Sequence, residues 1–435
     1  MNLRPPEIPA IALALALALV PISSSLAQTT VTTDPVGFTT INCSGSSDTI
    51  VSLPLARPTE FVGQIASVSG STITISGSPA WTASQWVYAQ GTQAKTYYVE
   101  VGGLLTSLAG TVSTTGTDNV VTGVGTSFTT ALSASNGLVV NGSYYIVKAV
   151  TSDTSLTTTV ATRVAVSGAT ASLSVSPNEG RIYTVTANDA SSLTLNLNGD
   201  SIASLQPNTN ISIAPYWTIN TVFPSSDVGV SFVASPSAGA KKTQILIPDY
   251  ITQGVNLAPN VIYFYYNNAW RKVGQNVAVD YGDNVLIQNG YFIVKNPLGT
   301  SATSICNQGV VHLKKRAIAL VTEVATSQDN FISMNRPVDV TLNNSGLFES
   351  GAFLPSPSTA VRTDQLYVFD NTQLTFNKSA SAIYYYYNGG WRKVGGNVAQ
   401  DFGTDTIPSG AGVIVRKKST SDGATKFVAT PPNYL

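Results

Sequence analysis

Histidine is nearly absent from this chain: His312 is the only one, so a Ser-His-Asp triad or an imidazole metal site must use it or do without. It lies in the strand-like stretch "GVVHLKKR", which reads as a surface or satisfied histidine and not as a general base. There are two cysteines, Cys43 and Cys306, and neither has a second cysteine or a histidine at ligand spacing. A zinc site and an activated thiolate are therefore not expected. In an oxidising compartment the two could form a disulfide, and closing so long a loop would contribute about 3–5 kcal/mol; the other reading is two buried or free thiols. Charged residues make up 11% of the chain and the formal net charge is zero, which gives no electrostatic footprint for nucleic acid or an anionic membrane. The basic clusters Lys314-Lys315-Arg316 and Arg416-Lys417-Lys418 read as solvated strand ends or loops.

Carboxylates are scarce in a similar way. Beyond the first residues the only glutamates are Glu60, Glu100, Glu179, Glu323 and Glu349, and no pair marks a general acid and base. The segments "DYGD" (Asp280–Asp283) and "DFGTD" (Asp401–Asp405) bring two carboxyls close in a turn. Calcium loops offer more oxygens at regular spacing, so Asp280, Asp401, Asp249 and Asp370 read as turn caps. No glycine-rich run leads into Lys-Ser/Thr or opens a helix, which leaves nucleotide binding without support. No catalytic residue, metal or cofactor is expected.

At the N-terminus, one arginine precedes an apolar run from Ala10 to Val20, and Ser25-Leu26-Ala27 supplies small residues at a cleavage position. This reads as a signal peptide over 1–27, which implies export to the periplasm, cell surface or medium. No other segment is long and apolar enough to cross a bilayer as a helix.

The rest reads as all-β. Stretches such as "QIASVSGSTITISG", "RIYTVTANDASSLTLNLNG" and "GYFIVKN" carry β-branched and aromatic residues between Ser-Gly, Asn-Asp and Asn-Gly turns. The strongest organisational signal is a repeat. The chain from Phe232 to Lys295 aligns without a gap on Phe353 to Arg416, 121 positions later, with twelve identities in the seventeen positions from Tyr266 to Gly282. Equal loop lengths over such a span imply a duplicated β-unit and paired sandwiches or barrels, since two copies are too few for a solenoid. A fainter echo relates "SDTIVSLPLARP" (Ser47–Pro58) to "QDNFISMNRP" (Gln328–Pro337) and suggests an equivalent opening strand for each half.

Residues 109–176 differ in texture, being poor in proline and charge and rich in Thr, Gly and Val, with "GVGTSF", "NGSYYIV" and "SDTSLT". They resemble the small β-modules of phage fibres and bacterial surface proteins. If "TYYVEV" (Thr96–Val101) leads into "GRIYTVTA" (Gly180–Ala187), this module interrupts an N-terminal β-domain. The expected organisation is an N-terminal β-domain in two parts, 28–108 and 177–224, the inserted module 109–176, and two β-repeats, 225–310 and 311–435.

Most conspicuous are "YFYYNNAWRKVGQN" (Tyr263–Asn276) and "YYYYNGGWRKVGGN" (Tyr384–Asn397). With three-residue turns, Tyr266 would pair with Trp270 and Tyr387 with Trp391, while a two-residue turn would shift the register by one and exchange the partners, so the assignment of faces depends on turn length. Two readings of these hairpins stand side by side. Flat aromatic rings beside Asn and Arg donors suit sugars, which makes Tyr266, Trp270, Arg271, Tyr387, Trp391 and Arg392 candidate ligand-binding residues. Cross-strand aromatic pairs and Arg-on-ring packing also lock hairpins as structure, and that reading is preferred.

The doubled block, together with "DPVGFTTINCSGSSDTIVSLPLARP" and "PYWTINTVFP", resembles an uncharacterised exported all-β repeat family found in Verrucomicrobiota and related bacteria. That resemblance implies export and a β-repeat fold and brings no activity with it. The expected function is a structural or adhesive role at the bacterial envelope, with polysaccharide or other envelope proteins as partners. The alternative is a carbohydrate-binding protein using the Tyr/Trp hairpins.

Overall fold

Two-residue turns set the register of both aromatic hairpins. In the computed structural model Asn267 and Asn268 lie at φ 50° and 54°, and Asn388 and Gly389 at 47° and 73°. Paired positive φ angles are the type I′ geometry whose twist matches the flanking strands, and Asn and Gly tolerate it best. Tyr265 therefore pairs with Trp270 and Tyr386 with Trp391, one position away from the three-residue expectation. The structure describes residues 35–430 except 175, 202–204 and 422; the signal-peptide pattern at 1–27 lies outside them.

Each hairpin ends a five-stranded antiparallel sheet. The first runs Ala269–Lys272, Val261–Tyr266, Gln244–Ile247, Phe292–Asn296, Ser47–Val51, and the second Gly390–Lys393, Ala382–Tyr387, Gln365–Val368, Gly412–Lys417, Gln328–Ser333. A two-stranded ribbon closes each core from the other side. It is Val36–Cys43 with Thr303–Val310 in the first unit and Arg316–Val321 with Thr425–Thr430 in the second. Trp270, Tyr265, Phe292, Val294 and the ribbon's Cys43 and Ile305 fill one core, and Trp391, Val413, Val415, Ile318, Leu320 and Val428 fill the other. The echo between Ser47–Pro58 and Gln328–Pro337 thus corresponds to equivalent edge strands. Residues 36–51 complete the first repeat and do not belong to an N-terminal domain, while 316–333 do the same for the second.

The two units face each other through reciprocal contacts. Asp48 N–H donates to Thr375 O (3.1 Å) and Asp329 N–H to Gly254 O (2.9 Å). Ser52 N–H donates to Gly410 O and Ser333 N–H to Asn289 O, both at 2.9 Å. Asp48 Oδ2 accepts from Asn377 N–H (2.8 Å) and Asp329 Oδ2 from Asn256 N–H (2.9 Å). The loop partners Thr375, Gly410 and Asn377 follow Gly254, Asn289 and Asn256 by 121 positions, and Asp329 and Ser333 of one edge strand take the places of Asp48 and Ser52 of the other, so the pair mimics an isologous dimer within one chain. Ile50, Tyr291 and Phe331 form the apolar centre of this interface.

Between Ser47–Val51 and Trp217 the first unit carries an insertion that the second lacks. It is a closed six-stranded barrel in the order Ile182–Asn188, Ser192–Asn196, Thr72–Ile75, Phe61–Ser69, Asn210–Pro215, Tyr97–Val101, filled by Ile65, Ile73, Trp81, Trp86, Val99, Tyr183 and their neighbours. The barrel is itself interrupted. An eight-stranded sheet spanning Leu105–Ser107 to Ala171–Ser174 leaves from one barrel strand and returns to the strand hydrogen-bonded beside it, around its own core of Val121, Phe128, Leu138 and Tyr145.

Two charged clusters are more buried than their sequence suggests. Lys315 and Arg316 are buried at the crossing between the units, with Lys315 near Glu179 (3.8 Å) and Arg316 near Glu100 (3.7 Å). Lys417 is fully buried and ion-paired with Asp364, its side chain belonging to the inward face of the sheet. Opposite charges on a second element let these side chains enter the interior, and such partners are invisible in local sequence.

Candidate functional site

The hairpin residues divide by face. Directly opposed residues share a face, so Tyr263, Tyr265 and Trp270 point into the first core and Tyr384, Tyr386 and Trp391 into the second. Both tryptophans have 0% of their surface exposed. Trp270 Nε1 donates to Phe223 O (3.2 Å), and its ring meets Phe232 at 4.8 Å and Tyr265 at 5.4 Å. No ring face is left for a sugar, and the stacking-platform reading fails at Trp270 and Trp391 for that reason. Arg271 and Arg392 are buried on the opposite face, where they hold the turns. Arg271 donates to the carbonyls of Tyr266 (3.1 Å), Asn267 (3.1 Å) and Val279 (3.0 Å), and Arg392 to those of Asn388 (3.4 Å) and Gln400 (3.1 Å). Tyr266 and Tyr387 are half-buried beside them.

The aspartates of the repeated turns are capped into backbone. Asp280 Oδ1 accepts from Trp270 N–H (3.1 Å) and Gly282 N–H (2.9 Å), and Asp401 Oδ1 from Trp391 and Gly403 N–H, both at 2.9 Å. Asp249 and Asp370 do the same for the residues that follow them, and those hydrogen bonds hold both carboxyls below the usual range. His312 is in contact with the Arg316 guanidinium; burial, and then that positive charge, hold its imidazole well below the ordinary range and keep it neutral.

Cys43 and Cys306 are both free, and register explains why. Cys43 pairs with Thr303 and Cys306 with Thr40, so the thiols stand three residues apart along the ribbon and on opposite faces. That offset is about 10 Å along the strand, beyond disulfide reach. Burial pushes the Cys43 thiol up to about 12, while Cys306 is exposed. An aromatic disulfide reagent should therefore titrate one thiol in the native chain and two in denaturant. Zero native thiols with two released by reductant would instead show that the bond forms.

A different region brings chemistry together. Where the barrel and both units meet lies a cleft of about 880 Å³. The barrel contributes Arg181, Tyr183, Thr184 and Asp200, the first unit Tyr250 and Gln288, and the second Ala319, Phe331 and Phe427. Gly180 permits the approach. At φ +82° its would-be Cβ lies 2.6 Å from Lys315 O and 2.7 Å from Ala317 N, so any side chain would push the barrel off the second unit. Ala317 N–H then donates to Gly180 O (3.0 Å), and the Arg181 guanidinium lies 3.6 Å over the Phe427 ring.

The polar wall of this cleft is fixed before any ligand arrives. Arg181 Nη1 is 3.0 Å from Asp200 Oδ2, which also accepts from the Tyr183 hydroxyl at 2.8 Å. Burial first, and then the Asp200 carboxylate, raise the Tyr183 phenol, so it remains a protonated donor. The Thr184 and Tyr216 hydroxyls share a hydrogen bond of 2.9 Å. Arg181 and Asp200 neutralise each other, and the remaining groups are hydroxyls, amides and apolar surface. Such a convergence of a few polar groups on a largely apolar cleft at a domain junction is the usual form of a small-molecule site.

None of these residues was singled out by sequence. They come from separate positions between Thr96 and Phe427, and the only local signal, "GRIYTVTA", reads simply as a strand.

No match was found. No family model fits the chain, and comparison with curated proteins and with solved structures gave no similar protein.

Proposed function

We propose that this chain is an exported, non-catalytic β-protein with a structural or adhesive role at the bacterial envelope. The observation that carries the reading is the nesting. A rigid pseudo-symmetric pair of units holds a barrel through one insertion, and the barrel carries an eight-stranded module through another. The inserted sheet leaves and re-enters through hydrogen-bonded barrel strands, and the barrel's own first and last strands, Phe61–Ser69 and Asn210–Pro215, pair with each other, the arrangement expected of a scaffold that displays a module. The leader pattern, the low charge and the resemblance to exported β-repeat proteins support the same reading, and so does the engagement of the repeated aspartates in turn caps.

Because Tyr97–Val101 and Ile182–Asn188 are hydrogen-bonded neighbours, residues 104–176 can be replaced by a short Gly-Ser turn. The expected outcome is a folded barrel with little change in midpoint of unfolding, normal export by cell fractionation, and loss of cell-surface attachment in an adherence assay. Turnover of a polysaccharide or ester panel, abolished by changing one carboxylate, would overturn the non-catalytic reading.

A further inference from the structure

The ribbon that closes the first unit has an open edge. Val311 N–H donates to Pro35 O (2.9 Å), and Val36 lies opposite Val310, which fixes the parity of the whole ribbon. Odd-numbered residues of Val36–Cys43 turn their amides toward Thr303–Val310, and Val36, Phe38, Thr40 and Asn42 turn theirs away. Among the described residues, no hydrogen bond reaches the backbone N–H or C=O of those four; Asn42 is engaged through its side chain, whose Oδ1 accepts from Ser304 Oγ (3.2 Å). The far edge of the ribbon is covered: Ser304 N–H donates to Val230 O (2.9 Å), Val310 N–H to Ala56 O (2.8 Å) and Ala56 N–H to Val310 O (3.0 Å). In the second unit the equivalent strand, Arg316–Val321, is covered as well, since Ala317 N–H donates to Gly180 O (3.0 Å) and the Asn330 side chain bonds both backbone groups of Val321 (2.7 and 3.0 Å). The first unit has no barrel on that side of its ribbon, and Thr49, opposite Val294 as Asn330 is opposite Val415, has no amide to offer. The four open residues also carry the strand's exposed side chains, with Val36 65% and Phe38 77% exposed. The strand has no charge, no internal proline and no bulge, the devices that ordinarily keep an edge from pairing.

We propose that this edge pairs with the same strand of a second copy, antiparallel about a two-fold axis that sets Phe38 opposite Phe38 and Val36 opposite Thr40. The two ribbons then form one four-stranded sheet. All the opposed residues belong to the outward set, so each opposed pair exchanges both of its N–H···O bonds, and Val36 and Phe38 of the two copies gather on one face. The strand itself points to its own copy as the partner. It is free of charge, so identical strands meet without repulsion, and a charged partner strand would find no opposite charge here. The chain's own preceding segment is a poor cover. A tight return over this edge has to close on the outward residue Val36 and turn at Asp34-Pro35, but Pro35 already continues the strand with its carbonyl bonded to Val311, and proline cannot take the positive φ of a type I′ turn. Because Val230 and Ala56 cover the far edges, pairing stops at two copies and does not run on as a fibre. The dimer goes beyond the adhesive reading and does not depend on it.

The test is sedimentation velocity on the purified exported chain from about 1 to 100 μM, the range in which a contact of this size associates. Reductant keeps the exposed Cys306, which lies opposite Thr40 in the ribbon, from crosslinking copies. The parent is expected to pass from monomer to dimer across that range. Phe38→Asp and Phe38→Lys each set like charges opposite one another and should raise the dimer dissociation constant at least about tenfold, with the parent's circular dichroism. Mixed in equal amounts, the two variants should recover the dimer as an Asp–Lys heterodimer, a rescue that depends on position 38 facing itself. Thr40→Pro removes one outward N–H and leaves the bonds to Thr303–Val310 intact, so it should weaken the dimer by a comparable factor if the contact is a strand pairing and not a side-chain patch. A parent that stays monomeric at the highest concentration leaves the edge to another protein or to the chain's own preceding residues and overturns the proposal. So would an unchanged dimer in Phe38→Asp or in Thr40→Pro, or a mixture of the two charged variants that associates no better than either alone.

Discussion

Trp270→Ala or Trp391→Ala should cost about 3–5 kcal/mol of stability, because each removes a fully buried indole from the centre of its core. The affected unit should lose cooperativity in urea unfolding, and whatever ligand affinity survives should be lost only with the fold. The two positions differ in one respect that phenylalanine substitution isolates. Trp270 Nε1 donates to Phe223 O, so Trp270→Phe leaves a buried carbonyl without that partner. Trp391 Nε1 is buried without a hydrogen-bond partner among the described residues, so Trp391→Phe removes an unsatisfied donor. An unmet buried polar group costs about 1–3 kcal/mol, so Trp270→Phe should be the more destabilising of the pair by about that amount. Equal losses, or weaker ligand binding by a fully folded Trp391→Ala protein, would restore a binding role to the hairpin.

The hairpins also show how far local sequence carries. The 121-residue repeat was legible because it preserves loop lengths, and the echo at Ser47 and Gln328 because edge strands keep their apolar alternation when their connections change. What local sequence could not show was which residues complete the first unit. Val36–Cys43 pairs with Thr303–Val310 across the whole barrel and its inserted sheet, and a strand carries no mark of so remote a partner. Turn length was ambiguous for a similar reason. "NNA" and "NGG" fit two or three residues, and twist matching of the completed strands selected two. The tryptophans were recognised as packing or platform, and only the register decided between them. The cleft was out of reach altogether, since it exists only where three bodies meet.

Charge was the most misleading local signal, and the repeat itself provides the experiment that explains it. Lys417 and Asp364 form a fully buried ion pair, with Asp364 Oδ2 also accepting from Leu354 N–H (2.6 Å) and Lys417 Nζ donating to Ala352 O. Burial drives the Asp364 carboxyl up and the Lys417 ammonium down, and each charge partly offsets the other's cost. The equivalent positions 121 residues earlier are Thr243 and Asn296. There Thr243 Oγ1 donates to Asn296 Oδ1 (2.7 Å) and accepts from Val233 N–H (2.9 Å), while Asn296 Nδ2 donates to the carbonyls of Cys43 (3.3 Å) and Ser44 (3.1 Å). One scaffold position thus accommodates an ionic and a neutral solution. Lys417→Met should cost about 3–5 kcal/mol, because Asp364 is left as an uncompensated buried carboxylate. The double change Asp364→Thr/Lys417→Asn, which copies the first unit, should fall within about 1 kcal/mol of the parent, since a satisfied neutral pair replaces two desolvated charges. Urea unfolding of the parent, Asp364→Thr, Lys417→Asn and the double closes the cycle, with Lys417→Met as the reference for an uncompensated carboxylate. A double variant as unstable as Lys417→Met would mean that the second unit depends on the charges themselves and not merely on satisfied hydrogen bonds at that position.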